Sequence, residues 1–148
     1  MKIRVIKRND IEKCAQLYAE VFSSEPWHEN WSPSLAYERL MHFYDSKGFV
    51  GVLAEEKEIF SFALGNIEPF YSGAFFYLRE MCTKPNAQNQ GIGKKTIKSL
   101  EDTLASMEVK NIYLITERSI PAANFYTACG FDLSADMGFY SKNIKLCI

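Results

Sequence analysis

The sequence predicts one α+β domain, a mixed α/β arrangement in which a twisted, mostly antiparallel sheet is covered by helices. Three observations carry this reading. Segments with apolar alternation or short apolar runs are interleaved with segments of helical periodicity. Residues 49–83 hold strand-like runs in close succession, as an antiparallel meander does. A strand, a glycine-rich turn and a helix between residues 77 and 107 are followed by another strand-like run, and such a crossover requires at least one parallel pair. With 148 residues the chain matches a single domain over 1–148, which buries roughly two thirds of its unfolded surface.

The elements follow in order. Residues 1–8, Met1-Lys2-Ile3-Arg4-Val5-Ile6-Lys7-Arg8, alternate apolar with charged side chains and have no long apolar run, so they read as a strand and not as a signal peptide. Asn9 with Glu12 forms an expected capping box, and Ile11, Cys14, Leu17, Tyr18, Val21 and Phe22 recur at helical spacing. The run Ser24-Glu25-Pro26-Trp27-His28-Glu29-Asn30-Trp31 breaks that pattern. Ser32 as N-cap and Pro33 at the first helical position then open a second helix running towards Gly48. Glu55-Glu56-Lys57-Glu58 suits the tip of a hairpin within the meander. A long strand over 74–83 leads into the glycine turn. The next helix puts Ile97, Leu100, Leu104 and Met107 on one core stripe. A strand over 111–116, a helix from Pro121 capped by Gly130, and a final alternating strand over 139–147 complete the chain.

Composition narrows the function. Lys and Arg total 17 against 18 Asp and Glu, a formal charge of -1, which lacks the basic excess of a general nucleic-acid binder. No segment approaches transmembrane length. Cys14, Cys82, Cys129 and Cys147 are scattered without a C-x-x-C pair, so no metal site is expected and reduced thiols in a cytoplasmic protein are the simplest account.

The run Gln88-Asn89-Gln90-Gly91-Ile92-Gly93-Lys94-Lys95 carries the strongest chemistry. A helix start leaves its first N–H groups without internal partners and bears about half a positive charge, so it attracts an anion where glycines clear the approach. A dinucleotide fingerprint fails because Thr96 stands where the third glycine belongs, and a Walker A loop fails at Gln88 and Lys95. A second motif supplies what the turn lacks. Residues 121–131, Pro-Ala-Ala-Asn-Phe-Tyr-Thr-Ala-Cys-Gly-Phe, form a short helix ending in Gly130-Phe131. Taken together, the two motifs resemble the GNAT superfamily of acetyl-CoA-dependent N-acetyltransferases. Gln88, Gly91 and Gly93 fit that family's Q/R-x-x-G-x-G/A loop. Thr83 and Pro85 are similar to its V-x-P strand end, and Ala122, Phe125, Tyr126, Gly130 and Phe131 match its A-x-x-F-Y-x-x-x-G-F helix.

The resemblance implies a GNAT-like fold and acetyl-CoA as cofactor. It places the CoA pyrophosphate on Gln88, Asn89, Gln90, Gly91, Ile92, Gly93 and Lys94, and the acetyl and pantetheine portions along the backbone of Met81, Cys82 and Thr83. Ser119 stands where many relatives carry Asn, and Asn124 lies nearer the helix tyrosine as an alternative CoA contact. Acetyl transfer needs a neutral amine, a stabilised oxyanion and a proton for the departing thiolate. Tyr126 matches the helix tyrosine that acts as general acid in many members, and a phenol with an ordinary pKa of about 10 donates to a thiolate at neutral pH. Glu80 is the candidate base. Simple alternation puts Leu78, Glu80 and Cys82 on one face and Arg79, Met81 and Thr83 on the other, and a salt bridge is the competing role for Glu80. Cys82 reads as packing.

The loop holding Trp27, Glu29 and Trp31 resembles, more weakly, the one that covers the acceptor site in the family. These residues and Glu25 could form an aromatic, acidic wall for a cationic amine, with Phe70 and Tyr71 on the opposite rim, and core packing by both tryptophans is the competing account. The expected activity is direct attack by a small-molecule or peptide amine on the bound thioester. Non-catalytic acyl-CoA sensing and a nucleotide-binding regulatory role are the alternatives. No nucleic-acid or membrane partner is expected, and a homodimer is compatible with this reading.

Overall fold

A computed structural model describes residues 1–147. Its contacts divide the chain into two units, Met1–Leu114 and Ile115–Ile148. The first contains β1 (Lys2–Val5), α1 (Ile11–Phe22), α2 (Pro33–Tyr44), β2 (Phe49–Glu55), β3 (Ile59–Glu68), β4 (Phe75–Thr83), α3 (Ile92–Ser106) and β5 (Asn111–Tyr113). The sheet order follows the chain, β1-β2-β3-β4-β5, antiparallel throughout except for the parallel β4–β5 pair. The mixed, mostly antiparallel α+β class read from the sequence is therefore the architecture observed.

Each face of the sheet has its own cover. Ile11, Cys14, Leu17, Tyr18 and Val21 of α1 and Ala36, Leu40 and Phe43 of α2 pack against Leu53, Phe62, Leu64 and Cys82. On the other face Ile92, at the start of α3, packs with Ala54 and Ala87, and Ile97, Leu100 and Leu104 of the same helix are buried. Met107, placed by periodicity on that stripe, is half exposed, because α3 ends at Ser106 and Met107 leaves the helical path as its C-cap. Ser32 caps α2 as its type predicts, accepting from the Leu35 N–H at 3.1 Å. α2 stops at Tyr44, short of Gly48.

The start of α1 is built differently from the expected Asn9–Glu12 box. Residues Arg8–Asp10 form a 3-10 turn, and the Asp10 carboxylate accepts from the Lys7 N–H at 2.7 Å. Arg4 from β1 donates to both Asp10 oxygens at 2.8 and 2.9 Å and to Glu55 Oε2 at 2.6 Å. The Arg4 guanidinium therefore holds the Asp10 carboxyl below the usual carboxylate range.

The second unit contains α4 (Pro121–Ala128), with Pro121 at its first turn and Gly130 at φ +92° behind it. Among the described residues the expected strand over 139–147 does not form. Phe139, Tyr140, Ile144 and Leu146 of that segment are exposed. Alternation creates a strand only where a neighbouring strand supplies ladder bonds and cover, and this segment has neither.

Candidate functional site

The site begins with an irregularity in β4. Across the β3–β4 ladder Leu64 pairs with Glu80, but Gly65 pairs with Leu78, so Arg79 is an extra residue on β4. Such a bulge bends the strand and re-aims its side chains. Gly65 makes it feasible, since a Cβ there would run into the Tyr77 carbonyl and into Phe76. The consequence reverses part of the alternation. Leu64 lies in the cluster with α1 and α2, so its partner Glu80 faces those helices, and Leu78, opposite Gly65, faces away from them. Arg79 turns to the α2 side as well, its guanidinium 4.1 Å from the Tyr77 ring centroid and 5.3 Å from that of Phe43. Two consecutive residues thus share one face, whereas simple alternation assigned Arg79 to the opposite one and grouped Leu78 with Glu80.

Glu80 is nearly enclosed, with its side chain 10 % exposed. It accepts from Arg39 Nε at 2.7 Å, and the Tyr18 hydroxyl also favours its charged form. Burial pushes the Glu80 carboxyl above the usual carboxylate range, and Arg39 and Tyr18 oppose that push by stabilising its charged form. Burial also raises the Tyr18 hydroxyl well above its ordinary value, which keeps it a donor. Arg39 sits 5.1 Å from the Phe43 centroid and 5.8 Å from Trp31, with 43 % of its side chain exposed. Sequence reasoning missed Arg39 and counted Tyr18 only as core. A tyrosine inside an apolar helical stripe is itself a signal, because its hydroxyl needs a partner when buried.

The loop between α1 and α2 contributes Trp31, whose ring meets Tyr18 edge-on at 5.1 Å and whose Nε1 donates to Glu29 Oε1 at 2.8 Å. Trp27 packs on Phe22 at 4.8 Å. Trp31, Glu29, Tyr18, Arg39 and Glu80 are therefore linked through successive contacts. Glu25 is 88 % exposed and lies 4.0 Å from His28. Tyr71 does not join them. It stands beyond β3, exposed, against Phe70.

Within β4, Cys82 is buried against α1 and its thiol is pushed well above its ordinary value by burial, so it remains protonated. The parallel register with β5 ends at the Tyr77–Tyr113 pair, leaving β4 from Leu78 to Thr83 with no neighbour on that edge among the described residues. After β4, the Gln88 amide donates to the Thr83 carbonyl at 3.1 Å and the Gln90 amide to Asn86 at 3.1 Å, fastening both ends of the turn. Asn89 and Gly91 adopt left-handed backbone, φ +64° and +78°. The helical ladder starts with Lys95 donating to the Gly91 carbonyl at 3.1 Å, so the N–H groups of Ile92, Gly93 and Lys94 have no intrahelical acceptor. No side chain caps them. The Ile92 side chain is core, and that of Lys94 is exposed. This is a cradle that suits a pyrophosphate.

In the second unit Tyr126 lies on α4 between Phe125 and Phe131, at 5.3 and 5.6 Å between ring centroids. Ser119, in the turn ahead of α4, and Asn124 on it are exposed. Among the described residues no cluster of His, Cys, Asp and Glu could hold a metal ion, and no helix is long and apolar enough to cross a membrane.

Solved structures share this fold. An aminoglycoside acetyltransferase from an uncultured soil metagenomic sample, in complex with sisomicin, is 18 % identical with a TM-score of 0.77, over 97 % of this chain and 96 % of its own. A putative acetyltransferase from Agrobacterium tumefaciens strain C58 is 20 % identical with a TM-score of 0.77, over 97 % and 100 %. AAC(6')-Iy, in complex with a CoA-containing bisubstrate analogue, is 15 % identical with a TM-score of 0.73, over 97 % and 98 %. No curated protein matches the chain significantly. The family model described as Acetyltransferase (GNAT) family matches residues 11–131. The chain therefore belongs to the GNAT acetyltransferases, acyltransferase enzymes that use acetyl-CoA.

Proposed function

We propose that this enzyme acetylates an amine by direct attack in a ternary complex, with Glu80 as the base. The observation that carries the reading is the placement of Glu80. It is an enclosed carboxylate on a bulged strand, poised above the usual carboxylate range and bordered by a half-open arginine and the Trp31 wall. A carboxylate shifted in that direction is a better proton acceptor at neutral pH than an ordinary glutamate.

Acetyl-CoA supplies the activated acetyl thioester. The N–H groups of Ile92, Gly93 and Lys94, behind the left-handed turn at Gly91, are suited to receive its pyrophosphate, and Lys94 adds charge beside them. The open edge of β4 at Met81, Cys82 and Thr83 offers backbone groups to the pantetheine and acetyl portions. Glu80 receives the proton that the attacking amine sheds. Trp31 and Glu29 wall the acceptor, with Trp27 behind them, and Tyr71 belongs to a separate rim. Tyr126 Oη is assigned the proton that the departing sulfur takes up, and Ser119 and Asn124 are assigned CoA contacts. These three assignments rest on the α4 motif.

Thiol release from acetyl-CoA across a panel of amines tests the activity. Glu80→Gln is expected to lower kcat/KM about 100-fold or more while acetyl-CoA affinity is kept. Normal turnover by that variant would remove Glu80 from the mechanism.

A further inference from the structure

On the Glu80 face of β4 stands a cation that makes no ion pair among the described residues. Among the described residues of the Met1–Leu114 unit, Arg4, Arg8 and Arg39 each pair with a carboxylate, and Arg79 pairs with none. Arg79 is nonetheless held in place. The bulge turns it to the Glu80 side, and its guanidinium lies over Tyr77 and beside Phe43. Stacking of this kind orders the planar group and leaves its in-plane N–H donors available, which is the geometry that takes a carboxylate by two parallel hydrogen bonds. Arg39, the partner of Glu80, contacts the same Phe43 ring, so both guanidiniums border that ring. Glu29, the acidic group expected to attract a polycation, already accepts from Trp31.

We infer that the acceptor carries a carboxylate close to its amine, which Arg79 binds while Glu80 takes the amine. The acceptor class is then an amino acid or a peptide with a nearby carboxylate, in place of a polycationic amine. This rests on the acetyl-transfer reading above for the role of Glu80, and on Arg79 alone for the class.

The test uses the full chain with CoA present and a set of α-amino acids and short peptides, each paired with its carboxamide, with kanamycin as the polycation. Binding is measured by calorimetry and turnover by thiol release. The carboxylate member of at least one pair is expected to bind about 10- to 100-fold better than its carboxamide. Arg79→Gln should erase that preference and leave the carboxamide unchanged, and Arg79→Lys should restore part of it. Arg79 is exposed, so both variants are expected to fold, and a thermal melt checks this. The inference is overturned if no pair prefers the carboxylate, if Arg79→Gln weakens both members equally, or if kanamycin is the better ligand. Arg79-dependent carboxylate binding without thiol release would support the anion site and end the catalytic reading. Turnover of kanamycin without dependence on Arg79 would do the reverse.

Discussion

Replacing Arg39 by Gln isolates the electrostatics of the Glu80 site. In the native protein burial disfavours the ionised carboxylate, and the Arg39 charge, its 2.7 Å hydrogen bond and the Tyr18 hydroxyl favour it, with Glu29 adding a smaller repulsion. Arg39→Gln removes the charge and leaves burial in place, so the carboxyl moves further above the usual range. In a full low-dielectric treatment two charges at this distance would interact by many kcal/mol, but Arg39 is 43 % exposed and water screens it. A charge-assisted hydrogen bond is worth about 1.5–3 kcal/mol, and about 1.4 kcal/mol corresponds to a tenfold change in proton affinity. The base is active only when deprotonated. On the acid side of the kcat/KM profile the variant should therefore be about 10- to 100-fold slower, and at high pH it should approach native activity. The assay is thiol release at saturating acetyl-CoA over pH 5.5 to 9.5, with Arg39→Lys as the variant that keeps the charge and the acid limb. A loss of equal size at every pH would refute the reasoning, because it would assign Arg39 to packing on Trp31 and Phe43 and not to the ionisation of Glu80.

Gly65→Ala should close the space that the β3–β4 bulge needs. The new methyl meets the Tyr77 carbonyl and Phe76, and overpacking of this kind costs about 1–3 kcal/mol or more. A lowered urea midpoint with a larger loss in kcat/KM than stability explains is expected, since the orientation of Arg79 and Glu80 depends on the bulge. Unchanged midpoint and activity would show the bulge to be incidental. At the other end of the sheet, Asp10→Asn removes the carboxylate clamped by Arg4 and the Lys7 N–H and should cost about 2 kcal/mol at pH 7. The folded Asp10 pKa is lowered, so its stabilisation is complete above the unfolded value of about 3.9 and disappears as pH falls through the folded value. Urea unfolding at pH 7 and pH 3 should therefore show a gap between native and variant that narrows at the lower pH.

What could be read from the sequence was decided by neighbours in the chain. The stripe of α1, that of α3 as far as Leu104, the Ser32 cap and a hairpin turn within the expected Glu55 to Glu58 tip follow from spacings of a few residues and are present, while Met107 falls off its stripe and Glu55 belongs to β2. The cradle was legible for the same reason, as left-handed Gly91 and uncapped N–H groups are properties of one short segment. The features that set the acceptor side depend on pairing between distant segments. The bulge arises because Gly65 admits the Tyr77 backbone, and an alternation count along β4 has no access to that approach. The ion pair joins Arg39 to Glu80 across 41 positions, and Arg4 selects Asp10 over Asn9 only once β1, β2 and the α1 turn are adjacent. The same distinction separates the pattern over 139–147 from a strand, since alternation is local and a ladder is not. It also changes the chemistry inferred for the acceptor. Counted along the chain, Glu25 and Glu29 belong to an acidic, aromatic wall for a cationic amine, with Glu80 as the candidate base. Placed in space, Glu25 stands out in solvent near His28, Glu29 is bonded to Trp31, and Glu80 is bonded to Arg39. Among the described residues Arg79 makes no ion pair, and the carboxylate-bearing acceptor inferred above follows from that cation, since the acidic groups near it already have partners.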